Sequence, residues 1–174
     1  MLQERLQQAI ANVPDFPKPG IVFKDITPIF LNANLTADVL NALCEPFLKN
    51  KPDAIAGIES RGFLFGLMMA QKLEIPFIPI RKKGKLPRKT HSVSYQLEYG
   101  SAEIEVHAAD ITPGQNIVIH DDLLATGGTA KAAKQLLENC GANVLSYSFL
   151  VELSFLKGCD LLNETPLFSL LKVD

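Results

Sequence analysis

The segment that most constrains the fold of this chain is residues 117–129 (IVIHDDLLATGGT). An apolar run leads into two adjacent carboxylates, Asp121 and Asp122. A small, glycine-rich turn follows them and opens a helical stretch. Short apolar runs of this kind are typical of strands that are buried in a parallel sheet. The segment therefore predicts a strand, a turn and a helix in direct succession, with two carboxylates where the strand ends.

The turn has the composition of a phosphate-binding site. A helix N-terminus offers backbone N–H groups and the positive end of the helix dipole, and both favour an anion. Gly127 and Gly128 let the backbone approach that anion closely, while Thr126 and Thr129 add hydroxyl donors. Ionised carboxylates only accept hydrogen bonds, which suits the 2′- and 3′-hydroxyls of a ribose. A ribose 5-phosphate therefore fits this arrangement from end to end.

Two other nucleotide-binding patterns are missing from the sequence. It contains no GxxxxGK[ST] loop, which argues against a P-loop enzyme, and no GxGxxG near a first strand, which argues against dinucleotide binding. The remaining structural alternative is an Asp-rich turn before a capped helix.

The rest of the chain predicts an α/β fold with an open, mainly parallel sheet. Its apolar runs and helical stretches alternate, and an antiparallel hairpin of alternating pattern lies around residues 92–106. Strands are predicted at 54–58, 77–80, 117–119 and 144–151, and helices at 2–13, 37–50, 62–73 and 129–139. Thr36 is predicted to cap the 37–50 helix and Pro46 to kink it, and the prolines of residues 14–20 argue against regular structure there. Residues 59–62, 120–122 and 152–153 follow three of the strands and are expected to converge.

Composition excludes several classes of function. The 174 residues suit one domain, and the formal net charge of -2 gives no general attraction to nucleic acid or a membrane. Three widely spaced cysteines, without a CxxC pair, argue against a zinc site and against a disulfide scaffold. No apolar run is long enough to span a membrane and no signal peptide is evident, so we expect a cytoplasmic protein. Basic residues gather between residues 81 and 89, where they either solvate a loop or bind an anionic small molecule.

Residues 121–129 resemble the phosphoribosyl pyrophosphate signature of the type I phosphoribosyltransferase family, in the form typical of its adenine-specific members. Further matches cover nearly all of residues 14–172. They are 14–20 (PDFPKPG), 23–28 (FKDITP), 57–63 (GIESRGF), 81–87 (RKKGKLP), 97–100 (LEYG), 151–153 (VEL) and 156–158 (LKG). The resemblance implies the fold of that family, with a flap hairpin and a small N-terminal hood. It also implies transfer of phosphoribosyl from phosphoribosyl pyrophosphate to adenine, giving AMP and pyrophosphate.

The resemblance implies a role for each group of matching residues. The ribose 5-phosphate is expected on Asp121, Asp122, Ala125, Thr126, Gly127, Gly128 and Thr129. The pyrophosphate is expected on Ser60, Arg61, Arg81 and Lys85, with a cis peptide before Ser60 and some basic residues reaching across a homodimer interface. Residues 82–100 correspond to the flap that closes over the substrates. Mg²⁺ is expected to arrive with the substrate rather than in a site made by the protein alone.

On the adenine side, Val22 and Leu153 match the apolar residues that sandwich the ring. The backbone of Lys24 matches the one that contacts its polar edge, and Glu98 matches the proposed acid/base. On bare sequence an exposed hairpin-tip carboxylate is the favoured interpretation of Glu98; with the resemblance, both interpretations stay open. His120 departs from the family pattern, in which an aliphatic residue precedes the two aspartates; we interpret it as a hydrogen-bonded residue at the strand end. The alternatives are a transferase for another base and a non-catalytic phosphoribosyl pyrophosphate sensor, although the sequence has no basic helix for binding DNA.

Overall fold

The computed structural model describes residues 1–96 and 100–174. In chain order its helices and strands are α1 (Leu2–Ala9), β1 (Ala11–Pro14), β2 (Val22–Asp25), α2 (Ala33–Cys44), β3 (Ala54–Ile58), α3 (Gly62–Leu73), β4 (Phe77–Lys82), β5 (Thr90–Gln96), β6 (Ser101–His107), β7 (Asn116–Leu124), α4 (Gly128–Asn139), β8 (Asn143–Leu153) and β9 (Leu167–Val173). Short 3₁₀ helices connect several of them.

Seven strands form one sheet in the order β5-β6-β4-β3-β7-β8-β9. The five strands from β4 to β9 are parallel to their neighbours, whereas β5 and β6 form an antiparallel hairpin on the β4 edge. The predicted open, mainly parallel α/β sheet with a hairpin is therefore confirmed. The strand Ala54–Ile58 and the helix Gly62–Leu73 coincide with their predicted ranges.

The hydrophobic core lies on both faces of the sheet. β3 is buried along its whole length, and its side chains alternate between the two faces: Ala54 and Ala56 pack with α4, and Ile55 packs with α1, α2 and α3. A strand covered on both faces needs apolar residues at every position, which explains the continuous run in the sequence.

The N-terminal hood is a separate two-stranded antiparallel sheet of β1 and β2. The prediction of a helix over 2–13 is wrong at its end, because α1 stops at Ala9 and residues 11–14 are a strand. The prediction that residues 14–20 lack regular structure is wrong at Pro14, which is the last residue of β1. Pro14 occupies a strand that pairs on one side, where a missing N–H can be tolerated.

The second helix begins and ends earlier than predicted. Asn32, rather than Thr36, is its N-cap, and the Asn32 side chain accepts a hydrogen bond from the N–H of Leu35. The Thr36 hydroxyl lies inside the helix and donates to backbone carbonyls. Pro46 does not kink the α-helix; it stands in a 3₁₀ turn that follows Cys44. β9 was not predicted at all.

Within residues 1–96 and 100–174, no helix is both long and apolar enough to cross a membrane.

Candidate active site

Asp121 and Asp122 lie inside β7 and not beyond its end. β7 continues to Leu124 because β8 pairs with it as far as Leu124 opposite Glu152. The expectation that the two aspartates follow the strand is therefore wrong by a few residues. Asp122 is buried, with only 4% of its surface exposed, and Asp121 is partly buried. The two carboxylates consequently stand in a rigid strand rather than in a loop.

These carboxylates have unusual ionisation. Burial, together with the neighbouring charge of Asp122, raises the pKa of Asp121 well above its ordinary value. Burial also raises the pKa of Asp122, although the Arg61 guanidinium opposes that shift. Arg61 Nε lies 2.7 Å from Asp122 Oδ2, an oxygen that receives no well-aligned hydrogen bond. An ionisable pair with such surroundings in a cleft is typical of a functional site.

The turn of residues 125–129 connects β7 to α4 and opens the helix without a side-chain cap. Gly127 is the N-cap, with φ of 85°, a conformation that a residue with a side chain rarely adopts. The first N–H groups of an α-helix have no partner inside it, so they are available to an anion in front of this turn. Ala125, Thr126, Gly128 and Thr129 line a small cavity there, together with Asp121.

Gly158 supports this turn from behind. A Cβ atom on Gly158 would overlap the carbonyl oxygen of Ala125, and a Cβ on Gly127 would lie 2.7 Å from the carbonyl oxygen of Gly158. The two backbones therefore touch without an intervening side chain. This contact explains why glycines stand at positions 127 and 158.

The loop of residues 59–62 reaches the aspartates from the neighbouring strand β3. Its Glu59–Ser60 peptide is cis, as the resemblance implied. Gly62 begins α3 against β7, where a Cβ would lie 2.8 Å from Asp121 Oδ1 and 2.9 Å from the carbonyl oxygen of His120. A side chain at position 62 would therefore displace either the helix or the carboxylate.

The two loops meet in one cavity of about 420 Å³. Of the three segments predicted to converge, 59–62 and 120–122 meet there, whereas residues 152–153 do not line this cavity. Its lining residues are Ile58, Glu59, Ser60, Arg61, Lys82, Tyr95, Asp121, Asp122, Leu123 and Thr129. Tyr95 and Lys82 were not among the expected site residues. The Tyr95 hydroxyl lies 3.2 Å from Thr129 Oγ1, so it connects the hairpin to the turn. The alternating sequence of β5 could have identified Tyr95, because it places this residue on the same face of the strand as the buried Val93.

Arg81 and Lys85 are absent from the lining of this cavity. Arg81 donates to Glu59 Oε2 at 3.2 Å and to the carbonyl of Lys85 at 3.1 Å, and the Lys82 N–H donates to the same Glu59 oxygen. Burial alone would raise the pKa of Glu59, but these hydrogen bonds and charges outweigh it and lower the pKa. Glu59 therefore ties the start of the basic segment to the loop that precedes Ser60.

The residues expected around a base are spread over the hood and β8. Val22 is 51% exposed at the start of β2, and Leu153 is 8% exposed at the end of β8. Lys24 turns its ammonium group to Asn12 Oδ1 at 2.6 Å, so the side chain is engaged within the hood. Glu98 lies outside the described residues, and its role stays a prediction.

His120 is fully buried in β7, not at the strand end. Its Nδ1 lies 3.3 Å from the hydroxyl of Ser148 on β8, in agreement with the predicted hydrogen bond. Burial lowers the pKa of His120 to about 4, so the ring is neutral at physiological pH. Its Cδ2 would lie 3.5 Å from a Cβ on Gly66, which puts the ring against α3.

Among residues 1–96 and 100–174, no three His, Cys, Asp or Glu side chains cluster so as to hold a metal ion. Asp121 and Asp122 nevertheless offer oxygen atoms of the kind that Mg²⁺ prefers, and both carboxylates line the cavity. These two carboxylates therefore fit a magnesium ion that shares its coordination with a substrate.

Comparison with known proteins places this arrangement among nucleotide-forming enzymes. The family model of the phosphoribosyl transferase domain matches residues 28–154. The adenine phosphoribosyltransferase of Nitrosococcus oceani is 49% identical over 167 residues, covering 96% of this chain and 98% of that protein.

Solved structures agree with this comparison. The adenine phosphoribosyltransferase of Thermoanaerobacter pseudethanolicus superimposes with a TM-score of 0.96 at 45% identity, covering 99% of this chain and 100% of the other. The Saccharomyces cerevisiae enzyme, solved with an imino-altritol bisphosphate and adenine, gives a TM-score of 0.91 at 44% identity, covering 97% and 98% of the two chains.

Proposed function

The chain belongs to the adenine phosphoribosyltransferases of the phosphoribosyltransferase family, and from that membership we propose how its own residues serve the reaction. The enzyme joins adenine to phosphoribosyl pyrophosphate and releases AMP and pyrophosphate, a step of purine salvage. A purine nitrogen forms a bond to the anomeric carbon of the ribose while the bond to the pyrophosphate oxygen breaks. Because positive charge develops on the sugar and negative charge on the leaving group, stabilisation of separated charge is the main demand on the site.

The two aspartates and the turn before α4 bind the phosphoribosyl group. The 5-phosphate is bound by the N–H groups and hydroxyls of residues 126–129 at the start of α4. Asp121 and Asp122 accept hydrogen bonds from the two ribose hydroxyls. The observation that carries this assignment is the single cavity of about 420 Å³ that Asp121, Asp122, Thr129 and the loop before α3 line together.

Ser60 and Arg61 bind the pyrophosphate, with Arg81 and Lys85 contributing charge. Support for Ser60 and Arg61 comes from their place in the cavity lining beside the carboxylates. Support for Arg81 and Lys85 is their position in the basic segment that Glu59 fastens to this loop. Asp121 and Asp122 are the residues that would hold Mg²⁺ together with the substrate, and the ion would supply positive charge to the pyrophosphate.

Adenine lies between Val22 and Leu153, with the Lys24 backbone at its polar edge and Glu98 handling the purine proton. The exposure of Val22 on the hood supports this placement, because it leaves an apolar surface open to a ring. A carboxylate that removes the purine proton typically accelerates such a step by about 10²–10⁴-fold.

Residues 1–174 act as one unit in a cytoplasmic homodimer. Support for the dimer is the apolar surface of α3, on which Leu64 is 43% and Leu67 is 56% exposed. Support for the cytoplasm is that Cys44, Cys140 and Cys159 are all free thiols, as expected in a reducing compartment.

Base specificity is tested by incubating the protein with phosphoribosyl pyrophosphate, Mg²⁺ and one base at a time, and identifying the nucleotide by mass. We expect AMP from adenine, and turnover of hypoxanthine and guanine that is slower by orders of magnitude. Turnover of guanine at the adenine rate would contradict the assignment.

A further inference from the structure

The carboxylate of Glu105 is buried in the sheet and binds the segment that connects β4 to β5. Glu105 is 2% exposed on β6, which lies between those two strands. Its Oε1 accepts hydrogen bonds from the N–H groups of Lys85 at 3.0 Å and Leu86 at 2.9 Å. Its Oε2 accepts a hydrogen bond from the hydroxyl of Thr90 at 3.1 Å. One side chain of β6 therefore holds the connecting segment at three points.

These hydrogen bonds replace the strand pairing that the segment lacks. Residues 83–89 form neither helix nor strand, so the N–H groups of Lys85 and Leu86 have no strand partner. Burial alone would raise the pKa of Glu105, but the hydrogen bonds from Leu86, Thr90 and Lys85 outweigh it and lower the pKa. Glu105 is therefore ionised at neutral pH, and hydrogen bonds to an ionised acceptor are stronger than those between neutral groups.

The backbone of Lys85 is held at both of its polar groups. Its N–H donates to Glu105, and its carbonyl oxygen accepts a hydrogen bond from Arg81 Nη1 at 3.1 Å. Arg81 in turn donates to Glu59, at the start of the loop that carries Ser60. Direct contacts therefore run from Glu105 through Lys85 and Arg81 to the loop that binds pyrophosphate in the proposed function.

The charge of Lys85 is available, in contrast to that of Lys83. The Lys83 ammonium group lies 3.1 Å from Glu103 Oε1 and 2.9 Å from Ser92 Oγ, so it is already paired within the hairpin. Lys85 is exposed, and across the described part of the chain its ammonium group makes no hydrogen bond or ion pair. A fixed backbone limits the positions that this flexible side chain samples, which lowers the entropic cost of ordering it on an anion.

We propose that Glu105 is a positioning residue, whose carboxylate fixes the backbone of Lys85 so that this lysine binds the pyrophosphate of phosphoribosyl pyrophosphate. The inference rests on the proposed role of Lys85 and extends it to a buried residue of the sheet. Glu105 does not line the cavity, and it acts on the pyrophosphate only through Lys85. The inner strand of the hairpin thereby contributes to binding of the leaving group.

The test compares affinity for pyrophosphate with Mg²⁺ and affinity for AMP, each measured by calorimetry. AMP contains the base and the ribose 5-phosphate but no pyrophosphate, so it does not need Lys85. We expect Glu105→Leu, which removes both acceptors, to weaken pyrophosphate binding about tenfold, near the lower limit for loss of a hydrogen bond to a charged group. Glu105→Gln keeps one oxygen for the two N–H groups but loses the charge, so we expect a loss of about threefold. AMP affinity should stay within about twofold of wild type in both variants.

Glu103→Leu is the matched control. It removes a carboxylate two positions earlier on the same strand, which contacts Lys83 but not Lys85. Pyrophosphate affinity should stay within about twofold of wild type in this variant. The decisive comparison is Glu105→Gln in a Lys85→Met background, where we expect no further loss of pyrophosphate affinity if Glu105 acts through Lys85. The glutamine variant also keeps the test valid if leucine at this buried position prevents folding.

Four results would each overturn the proposal. They are a parallel loss of AMP affinity, an equal loss of pyrophosphate affinity from Glu103→Leu, wild-type pyrophosphate affinity in Glu105→Gln, and equal effects of Glu105→Gln with and without the Lys85 side chain. Wild-type pyrophosphate affinity in Lys85→Met would overturn it as well, because Glu105 would then have no ligand-binding residue to position. AMP formation by the wild-type enzyme is scored separately, so failure of the proposed function is distinguishable from failure of this inference.

Discussion

Asp121 and Asp122 are neighbours in one strand, but their electrostatic surroundings differ. Asp122 has the Arg61 guanidinium at 2.7 Å, whereas Asp121 has the charge of Asp122 beside it and only a weak influence from Arg61. Ionised Asp121 is therefore the less stable of the two in the folded protein. In the free protein, the surroundings of Asp121 therefore favour the protonated carboxyl group over the carboxylate.

Asp121→Asn should accordingly stabilise the free protein while impairing it as an enzyme. Because the pKa of Asp121 is raised, there is a pH range above the ordinary pKa of aspartate in which the folded protein retains a proton that the unfolded chain has released. The free energy of unfolding falls as pH rises through this range. The amide does not titrate, and we therefore expect the variant to unfold with a higher free energy than wild type at pH 8, by a margin that shrinks at pH 5. Affinity for phosphoribosyl pyrophosphate should fall, because an amide is a poorer acceptor than a carboxylate.

Urea denaturation at pH 5 and pH 8, with calorimetric binding alongside, measures both effects. Asp122→Asn is the matched control: it should lose affinity as well, but without the gain in stability, because Arg61 loses its partner. Undiminished affinity in Asp121→Asn would remove Asp121 from ribose binding.

His120 should make the protein sensitive to acid. Its pKa of about 4 in the folded state lies below the ordinary value, so between about pH 6.5 and 4 the unfolded chain takes up a proton that the folded chain refuses. Stability from this group is complete above pH 6.5 and declines below it, by about 3 kcal/mol at pH 4.

His120→Gln should therefore lose less stability between pH 7 and pH 4.5 than wild type, as measured by the midpoint of urea unfolding. His91→Gln is the control, since His91 is exposed and its removal should leave the pH dependence as it was. A wild-type pH dependence in His120→Gln would contradict the burial argument.

The residues of the site were predictable from sequence to different degrees. Asp121, Asp122 and the turn could be found because they are contiguous and their chemistry is local. The partnership of Arg61 with Phe23 could not, because it joins positions 38 residues apart through a contact that no local pattern encodes. The burial of His120 was equally hidden, since its neighbour Ser148 belongs to another strand.

Among the larger elements, the turn of residues 125–129 depends on a segment that follows β8. Gly158→Ala would place a methyl group against the Ala125 carbonyl oxygen and 3.0 Å from Leu124 Cδ1, so the turn must move. We expect the KM for phosphoribosyl pyrophosphate to rise about tenfold or more and stability to fall by about 1–3 kcal/mol, a typical cost of overpacking.

Gly114→Ala separates these two effects. Gly114 has a φ of 81° and open space around it, so alanine there costs stability through its backbone conformation but displaces no neighbour. Steady-state kinetics of the two variants should show the rise in KM only for Gly158→Ala. A similar KM in both would mean that the turn tolerates the added methyl group.

Helix and strand boundaries were predicted well for β3 and α3 and less well for α1, α2 and β7. β3 and α3 have continuous patterns that one period describes, and their ranges were correct. α2 was placed late because Asn32 caps it directly after a 3₁₀ turn, whereas the sequence prediction put the cap at Thr36, inside the helix. β9 has no alternating pattern and exists because β8 provides an edge for it.

At the scale of the whole molecule, the site was predictable because parallel topology brings strand ends together. β3 and β7 are neighbours, so the loop after one and the carboxylates near the end of the other had to meet. Topology does not predict the contribution of the hairpin and the hood, because Tyr95 and Phe23 belong to elements outside the parallel strands of the sheet.

The strand order also has a consequence for how the chain is made. β3 pairs with β4 on one side and with β7 on the other, and the hairpin of β5 and β6 is synthesised before β7. During synthesis on the ribosome, one edge of the wholly apolar strand Ala54–Ile58 therefore stays unpaired until β7, which bears the two aspartates, has emerged. An unpaired apolar edge is a template for intermolecular association. The central strand that positions the active site is thus a segment of the nascent chain that is prone to intermolecular association until β7 has emerged.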